Sequence, residues 1–152
     1  MPFFKITDGS QETADDRTFL PDATDDDWQA LLRSVGVEPF VPDQVLIKAG
    51  DPGDCFFILV EGDVAVQTTS MFGTRTVATI RAGSVFGEIA FLDGGKRTAT
   101  VRALTGGTMV RVSRASFLAI QAWEPQLAQR IALDLGRLCA IRLRQTLAKA
   151  GS

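Results

Sequence analysis

The chain contains no histidine. That absence removes Ser-His-Asp and Cys-His catalytic arrangements and every imidazole metal site, the usual routes by which a small β-barrel becomes an enzyme. Barrels that hold a metal through several histidines go with them. Cysteine is scarce too: Cys55 and Cys139 stand far apart with no ligand residues nearby, so both are expected to be small buried hydrophobes in a reducing compartment. Long hydrophobic runs are missing. The longest, Cys55 to Val60, has six residues, far short of a membrane span. The acidic N-terminus lacks the apolar stretch and basic start of a signal peptide. A soluble, cytoplasmic protein is the expectation.

What is present suits one domain. At 152 residues, 45% hydrophobic and 22% charged, the chain buries roughly two-thirds of its unfolded surface and needs no disulfide or metal. Charge is segregated. Residues 1–30 carry eight acids (Asp8, Glu12, Asp15, Asp16, Asp22, Asp25, Asp26, Asp27) against Lys5 and Arg17. Residues 126–149 carry Arg130, Arg137, Arg142, Arg144 and Lys149 against Asp134 alone. A solvated face, or pairing of this basic stretch with the acidic start, is favoured over contact with nucleic acid.

Residues 1–23 are polar and aperiodic, which predicts an irregular acidic segment, loosely attached, ahead of a single domain over 24–149. Thr24 is placed to cap a helix from Asp25 to about Ser34, with acids in its first turn and Trp28, Leu31 and Leu32 on its apolar face. From Pro39 to Val112 the pattern becomes short strands separated by glycine turns: Val45–Lys48, Cys55–Val60, Val64–Thr68, Arg75–Ile80, Thr100–Leu104 and Met109–Val112. Strands at that spacing predict a sandwich or barrel. Helices return after Ser113, first over Ala115–Ala122, then over 125–149 with Pro125 in the first turn. Apolar residues of that last helix sweep well over half its circumference, more than one docking surface requires. It is expected to touch its own barrel and also a partner subunit, a ligand, or both.

The segment Phe86-Gly87-Glu88-Ile89-Ala90-Phe91-Leu92-Asp93-Gly94-Gly95-Lys96-Arg97 interrupts the strands with one helical turn, opened by Gly87 and closed by Gly94-Gly95. Free N–H groups at the start of such a turn attract an anion, and Arg97 follows the reversal with a planar, permanently charged fork suited to phosphate. A carboxylate repels phosphate, so Glu88 belongs beside a hydroxyl such as that of a ribose. On spacing alone, a plain Glu88–Arg97 salt bridge across the loop is an equal alternative.

Phe86-Gly87-Glu88-Ile89-Ala90, followed by Arg97-Thr98-Ala99-Thr100-Val101, resembles the phosphate-binding cassette of the cyclic-nucleotide-binding domains. These occur in the catabolite activator, in cyclic-AMP-dependent kinase regulatory subunits and in cyclic-nucleotide-gated channels. The resemblance extends back through Gly50-Asp51 and Asp54 to Gly62-Asp63-Val64-Ala65-Val66 and covers roughly residues 36–148; Phe91 stands where the family usually has Leu. It implies a mainly β fold, an eight-stranded double-stranded β-helix or jelly-roll barrel with a short N-terminal helix and C-terminal helices. It also implies a ligand, cAMP or cGMP, with no cofactor and no metal. Glu88 would hold the ribose 2′-OH, with Gly87 allowing close approach to the sugar. Arg97 would take the phosphate with N–H groups at Ala90, Thr98 and Ala99. Ile89, Val66, Val77, Ala78 and Val101 would wall the purine, although each fits a plain core role as well. The Thr98 hydroxyl can meet a guanine amine and discriminates only weakly between the two ligands.

Arg142 falls inside the apolar sector of the last helix, near the angular positions of Ile131, Leu135 and Leu138. It either snorkels out of the stripe or stacks on the base as that helix closes over it. The expected protein is a non-enzymatic, stand-alone cyclic-nucleotide sensor with no DNA-binding domain and no membrane contact. It signals through its C-terminal helix to a protein partner or a second copy. The alternative is an interaction scaffold that keeps the barrel and binds no cyclic mononucleotide.

Overall fold

The computed structural model describes residues 18–151. Strands β1 (Val37–Phe40), β8 (Gly107–Ser113), β3 (Cys55–Glu61) and β6 (Val85–Phe86) form one antiparallel sheet, in that order. Strands β2 (Val45–Ile47), β7 (Thr100–Ala103), β4 (Asp63–Ser70) and β5 (Gly73–Arg81) form a second. Helix α1 (Asp25–Leu32) precedes the sheets, α2 (Glu88–Asp93) interrupts them, and α3 (Arg114–Trp123) and α4 (Pro125–Ala150) follow. This is the mainly β jelly-roll with flanking helices that the cassette implied. All six strands read from periodicity are present. Two were not legible: β1 carries Pro39, which a ladder tolerates only at an edge, and β6 is two residues long.

Strand β3 explains the apolar run at its centre. Phe56 and Ile58 point to a cluster under the helices, with Leu31, Ile120, Ile131 and Leu135, while Cys55, Phe57 and Leu59 point between the sheets, with Ile47, Val64, Phe86 and Val101. Both faces are covered, so both sets of side chains are apolar and no alternation survives.

Local caps set the helix boundaries. Thr24 and Asp27 form a reciprocal capping box at the start of α1, a feature worth about 1 kcal/mol. The Thr24 N–H, then Arg130 at 2.9 Å, hold the Asp27 carboxyl below its ordinary pKa. That ion pair ties α1 to α4, as the segregated charges suggested. The Ser113 hydroxyl caps α3 by accepting from Ser116 N at 3.0 Å.

Residues 1–17 lie outside the described residues, so most of the irregular acidic segment does too. The loose attachment expected through residue 23 does not hold for its last part. Phe19 is fully buried, edge-on to Phe56 and Trp28, and Leu20 is buried beside it. Their backbone is strapped down: Phe19 N donates to Gly83 O at 2.7 Å, Leu20 N to Asp134 Oδ2 at 2.7 Å, and Arg137 Nη2 to Thr18 O at 2.7 Å. Burying one such ring contributes about 2–3 kcal/mol, and a two-residue anchor has no period to detect.

Helix α4 has two apolar faces. Leu127, Ala128, Ile131, Leu135 and Leu138 are buried, whereas Leu133, Leu143 and Leu147 are 69%, 59% and 61% exposed. Among the described residues no helix is long and apolar enough to cross a membrane.

Candidate functional site

The β6–α2–β7 segment is shaped by its glycines. Gly87 has φ +79°, a conformation that L side chains rarely adopt, and a Cβ there would stand 2.9 Å from both Arg97 Nη1 and Ile47 Cδ1. Gly94, at φ +73°, closes α2 by donating its N–H to Ala90 O at 2.9 Å. The chain then returns alongside the β2–β3 loop, where Arg97 N donates to Asp51 O at 2.8 Å and Gly50 N to Arg97 O at 2.9 Å.

This return aims the Arg97 side chain inward, 8% exposed. Its Nη1 donates to Gly87 O at 2.8 Å, and its Nη2 to Cys55 O at 2.8 Å and Cys55 Sγ at 3.2 Å. Its Cζ lies 6.0 Å from the Phe57 ring centroid. Gly53 makes room, since a Cβ there would collide with the guanidinium. Every acceptor of Arg97 among the described residues is neutral. The salt bridge to Glu88 that spacing allowed is not formed.

Glu88 opens α2 and is 5% exposed. Its Oε1 accepts from Arg142 Nη1 at 2.7 Å. Arg142 reaches from α4 to Glu88 and donates from Nη2 to Ser84 Oγ at 3.0 Å and Val85 O at 2.7 Å. The carboxylate explains why a charge is tolerated inside the apolar sector of that helix. Cys139, one turn earlier, meets the same carboxylate: burial first, then the Glu88 charge, pushes its thiol up to about 11.

The apolar candidates divide. Val101, Val66 and Ala78 are cross-strand neighbours in one row over β7, β4 and β5, continuing from Ile47 on β2. Val101 is buried and Val66 packs against the inner cluster, whereas Ala78 is exposed at the edge strand. Val77 stands outside the row. It is the extra residue of a bulge, skipped where Val66 pairs with Ala78 and Gln67 with Thr76, and it is 37% exposed. Ile89 is 45% exposed on α2; Ala90 is buried, Thr98 exposed and Ala99 half-buried. Composition and spacing did not single out Gly53, Cys55 and Ser84. Cys55 holds Arg97 through its backbone oxygen and sulfur, Ser84 holds Arg142 through its hydroxyl, and Gly53 leaves room for the Arg97 side chain; the one signal in sequence is the turn Gly50-Asp51-Pro52-Gly53-Asp54.

The sequence model of the family described as cyclic nucleotide-binding domain matches residues 37–122, more than half of the chain. The chain belongs to that family. Among relatives of this cyclic nucleotide-binding domain is the cAMP-dependent protein kinase regulatory subunit of Dictyostelium discoideum, 33% identical over 98 residues, covering 60% of this chain and 30% of that protein. The domain thus spans less than a third of that relative's length. A cyclic nucleotide-binding domain from Methylobacillus flagellatus superposes with a TM-score of 0.78 at 25% identity, covering 88% of this chain and 75% of the other. The catabolite activator protein of Thermus thermophilus shares the fold at a TM-score of 0.72 and 24% identity, over 86% and 60% of the two chains.

Proposed function

We propose that this domain is a non-enzymatic sensor of a cyclic purine nucleotide, cAMP or cGMP. The observation that carries the reading is Arg97, a buried guanidinium with no carboxylate partner among the described residues, beside the Gly87 turn. A buried cation without a counter-charge is costly, and a ligand anion relieves that cost. In this reading Arg97 takes the cyclic phosphate with N–H groups at Ala90, Thr98 and Ala99, and Glu88 accepts from the ribose 2′-OH. The row of Val101, Val66 and Ala78 faces the purine, with Val77 and Ile89 at its open side. In this reading the ligand is bound and released unchanged.

Output runs through α4. Arg142 joins that helix to Glu88, while Leu133, Leu143 and Leu147 present its other face to a protein partner or a second copy. Arg142 then reports on the sugar through Glu88. A cytoplasmic setting fits a ligand of this kind. Calorimetric titration with cAMP and cGMP tests the reading, with a Kd of micromolar or below expected for at least one. At 100 times such a Kd, linkage raises stability by about 2.7 kcal/mol. No heat and no thermal shift with either nucleotide overturns it.

A further inference from the structure

Two ion pairs border Arg97, whose own guanidinium has no carboxylate partner among the described residues. Arg142 neutralises Glu88 on the α4 side. On the sheet side, Arg111 of β8 donates from Nε and Nη2 to the two carboxylate oxygens of Glu38, at 3.1 and 3.2 Å. That second pair belongs to the same small region. Arg111 stands across from Phe57 in the β3–β8 register, and its Cζ lies 5.0 Å from the ring centroid that Arg97 also approaches. Cys55 Sγ accepts from Arg97 Nη2 at 3.2 Å and from Arg111 Nη1 at 3.9 Å. Through that one sulfur the two guanidiniums sit closer than the Debye length of about 8 Å at physiological salt, so salt screens them from each other only in part. Glu38 holds the Arg111 guanidinium above its ordinary pKa, and both side chains remain nearly half exposed at the edge of the site.

We propose that the Glu38–Arg111 pair sets the charge selectivity of the site, holding it at one net positive charge so that it takes a phosphodiester monoanion and rejects a phosphomonoester dianion. The proposal rests on the cyclic-nucleotide reading and adds a specificity determinant to it. A cyclic phosphate carries a single negative charge. A 5′-monophosphate, whose second proton leaves near pH 6, carries close to two at pH 8. Beyond Arg97 the second charge finds no free partner, because Glu38 already takes up the nearby Arg111 guanidinium. Glu38 therefore works against the linear nucleotide more than against the cyclic one. The two ligands share a base and differ at the phosphate and at the 3′-oxygen that it bridges, so phosphate charge is one feature by which a sensor of one can reject the other, and this pair supplies that part.

The proposal is tested by competition against a fluorescent cyclic nucleotide at pH 8, using cAMP with 5′-AMP or cGMP with 5′-GMP, on wild type, Glu38→Gln, Arg111→Gln, Arg111→Lys and the double variant Glu38→Gln/Arg111→Gln. The quantity read is the ratio of linear to cyclic Kd. It should fall about fivefold in Glu38→Gln and rise about fivefold in Arg111→Gln, the change expected for one charge at this range in a partly wetted site. It should stay at the wild-type value in Arg111→Lys and return towards it in the double variant. Loosened packing around Phe57 and Cys55 would move both Kd values together and leave the ratio unchanged. If wild type binds the cyclic nucleotide and the ratio stays within twofold in both charge-changing variants, the proposal is overturned and the sensor reading stands. If wild type binds neither cyclic nucleotide, the sensor reading falls and the proposal falls with it.

Discussion

The guanidinium of Arg142 lies 2.7 Å from the carboxylate of Glu88, joining residues 54 positions apart and binding α4 to the first residue of α2. Glu88 is almost wholly buried, so removing its partner leaves a desolvated charge. Arg142→Ala should therefore cost about 2–4 kcal/mol, seen as a lower urea midpoint without nucleotide. Glu88→Gln added to it should recover part of the loss, because a neutral amide needs no counter-charge. An Arg142→Ala midpoint equal to that of an exposed control such as Arg144→Ala would show that the pair contributes nothing.

Gly53 offers a way to displace Arg97 without touching it. Its own backbone is ordinary, and the nearest atoms a Cβ would meet are Nε, Cζ and Cδ of Arg97. Gly53→Ala should leave the melting temperature within a few degrees of wild type and weaken nucleotide binding at least tenfold. Arg97→Ala should weaken it further, by about 2–5 kcal/mol, and Arg97→Lys should restore part, since an ammonium lacks the planar fork. Normal binding by Arg97→Ala would move the phosphate role elsewhere.

Cys139 reports on Glu88 from the α4 side. With its pKa pushed up to about 11, the folded thiol keeps its proton over a range in which an unfolded thiol has lost it. The neutral thiol contributes stability that is present below about pH 9, the ordinary thiol value, and is lost as pH rises through about 11. At pH 8 the thiolate is a minor species, so alkylation by iodoacetamide, followed at Cys139 by mass spectrometry, should be slow. Glu88→Gln removes the second cause of the shift and leaves burial, so alkylation should accelerate without reaching the rate of a free thiol. An unchanged rate would mean that the carboxylate does not act on this sulfur.

The strands and the cassette were legible because each is a local signal: a period of two between glycine turns, or a fixed string of residues. What escaped was non-local. Pro39 hid β1, and a single-residue bulge took Val77 out of line with Ala78. Phe19 is a buried anchor in a stretch whose composition suggested none. Arg142 stood out as a charge in an apolar arc, yet its partner was invisible, because only the fold brings residue 88 to residue 142. The acceptors of Arg97 are backbone carbonyls and a cysteine sulfur, groups whose role no residue type announces.

Helix α4 supplies the last expectation. Its buried face, Ile131, Leu135 and Leu138, packs under the sheet of β3, and Arg142 and Cys139 meet Glu88 just beyond. Past Arg142 the helix is exposed to its end, and a segment with so few buried contacts opens easily. A nucleotide that engages Glu88 adds a bound partner at the point where the helix is tied down. It can stabilise the helix only if it favours the tied arrangement over the open one. Hydrogen exchange with and without nucleotide should therefore show slower exchange at residues 130–145 together with residues 86–101. The α4 effect should vanish in Arg142→Ala while the cassette effect persists. Protection confined to the cassette in wild type would cut α4 out of the response and leave it a packing element.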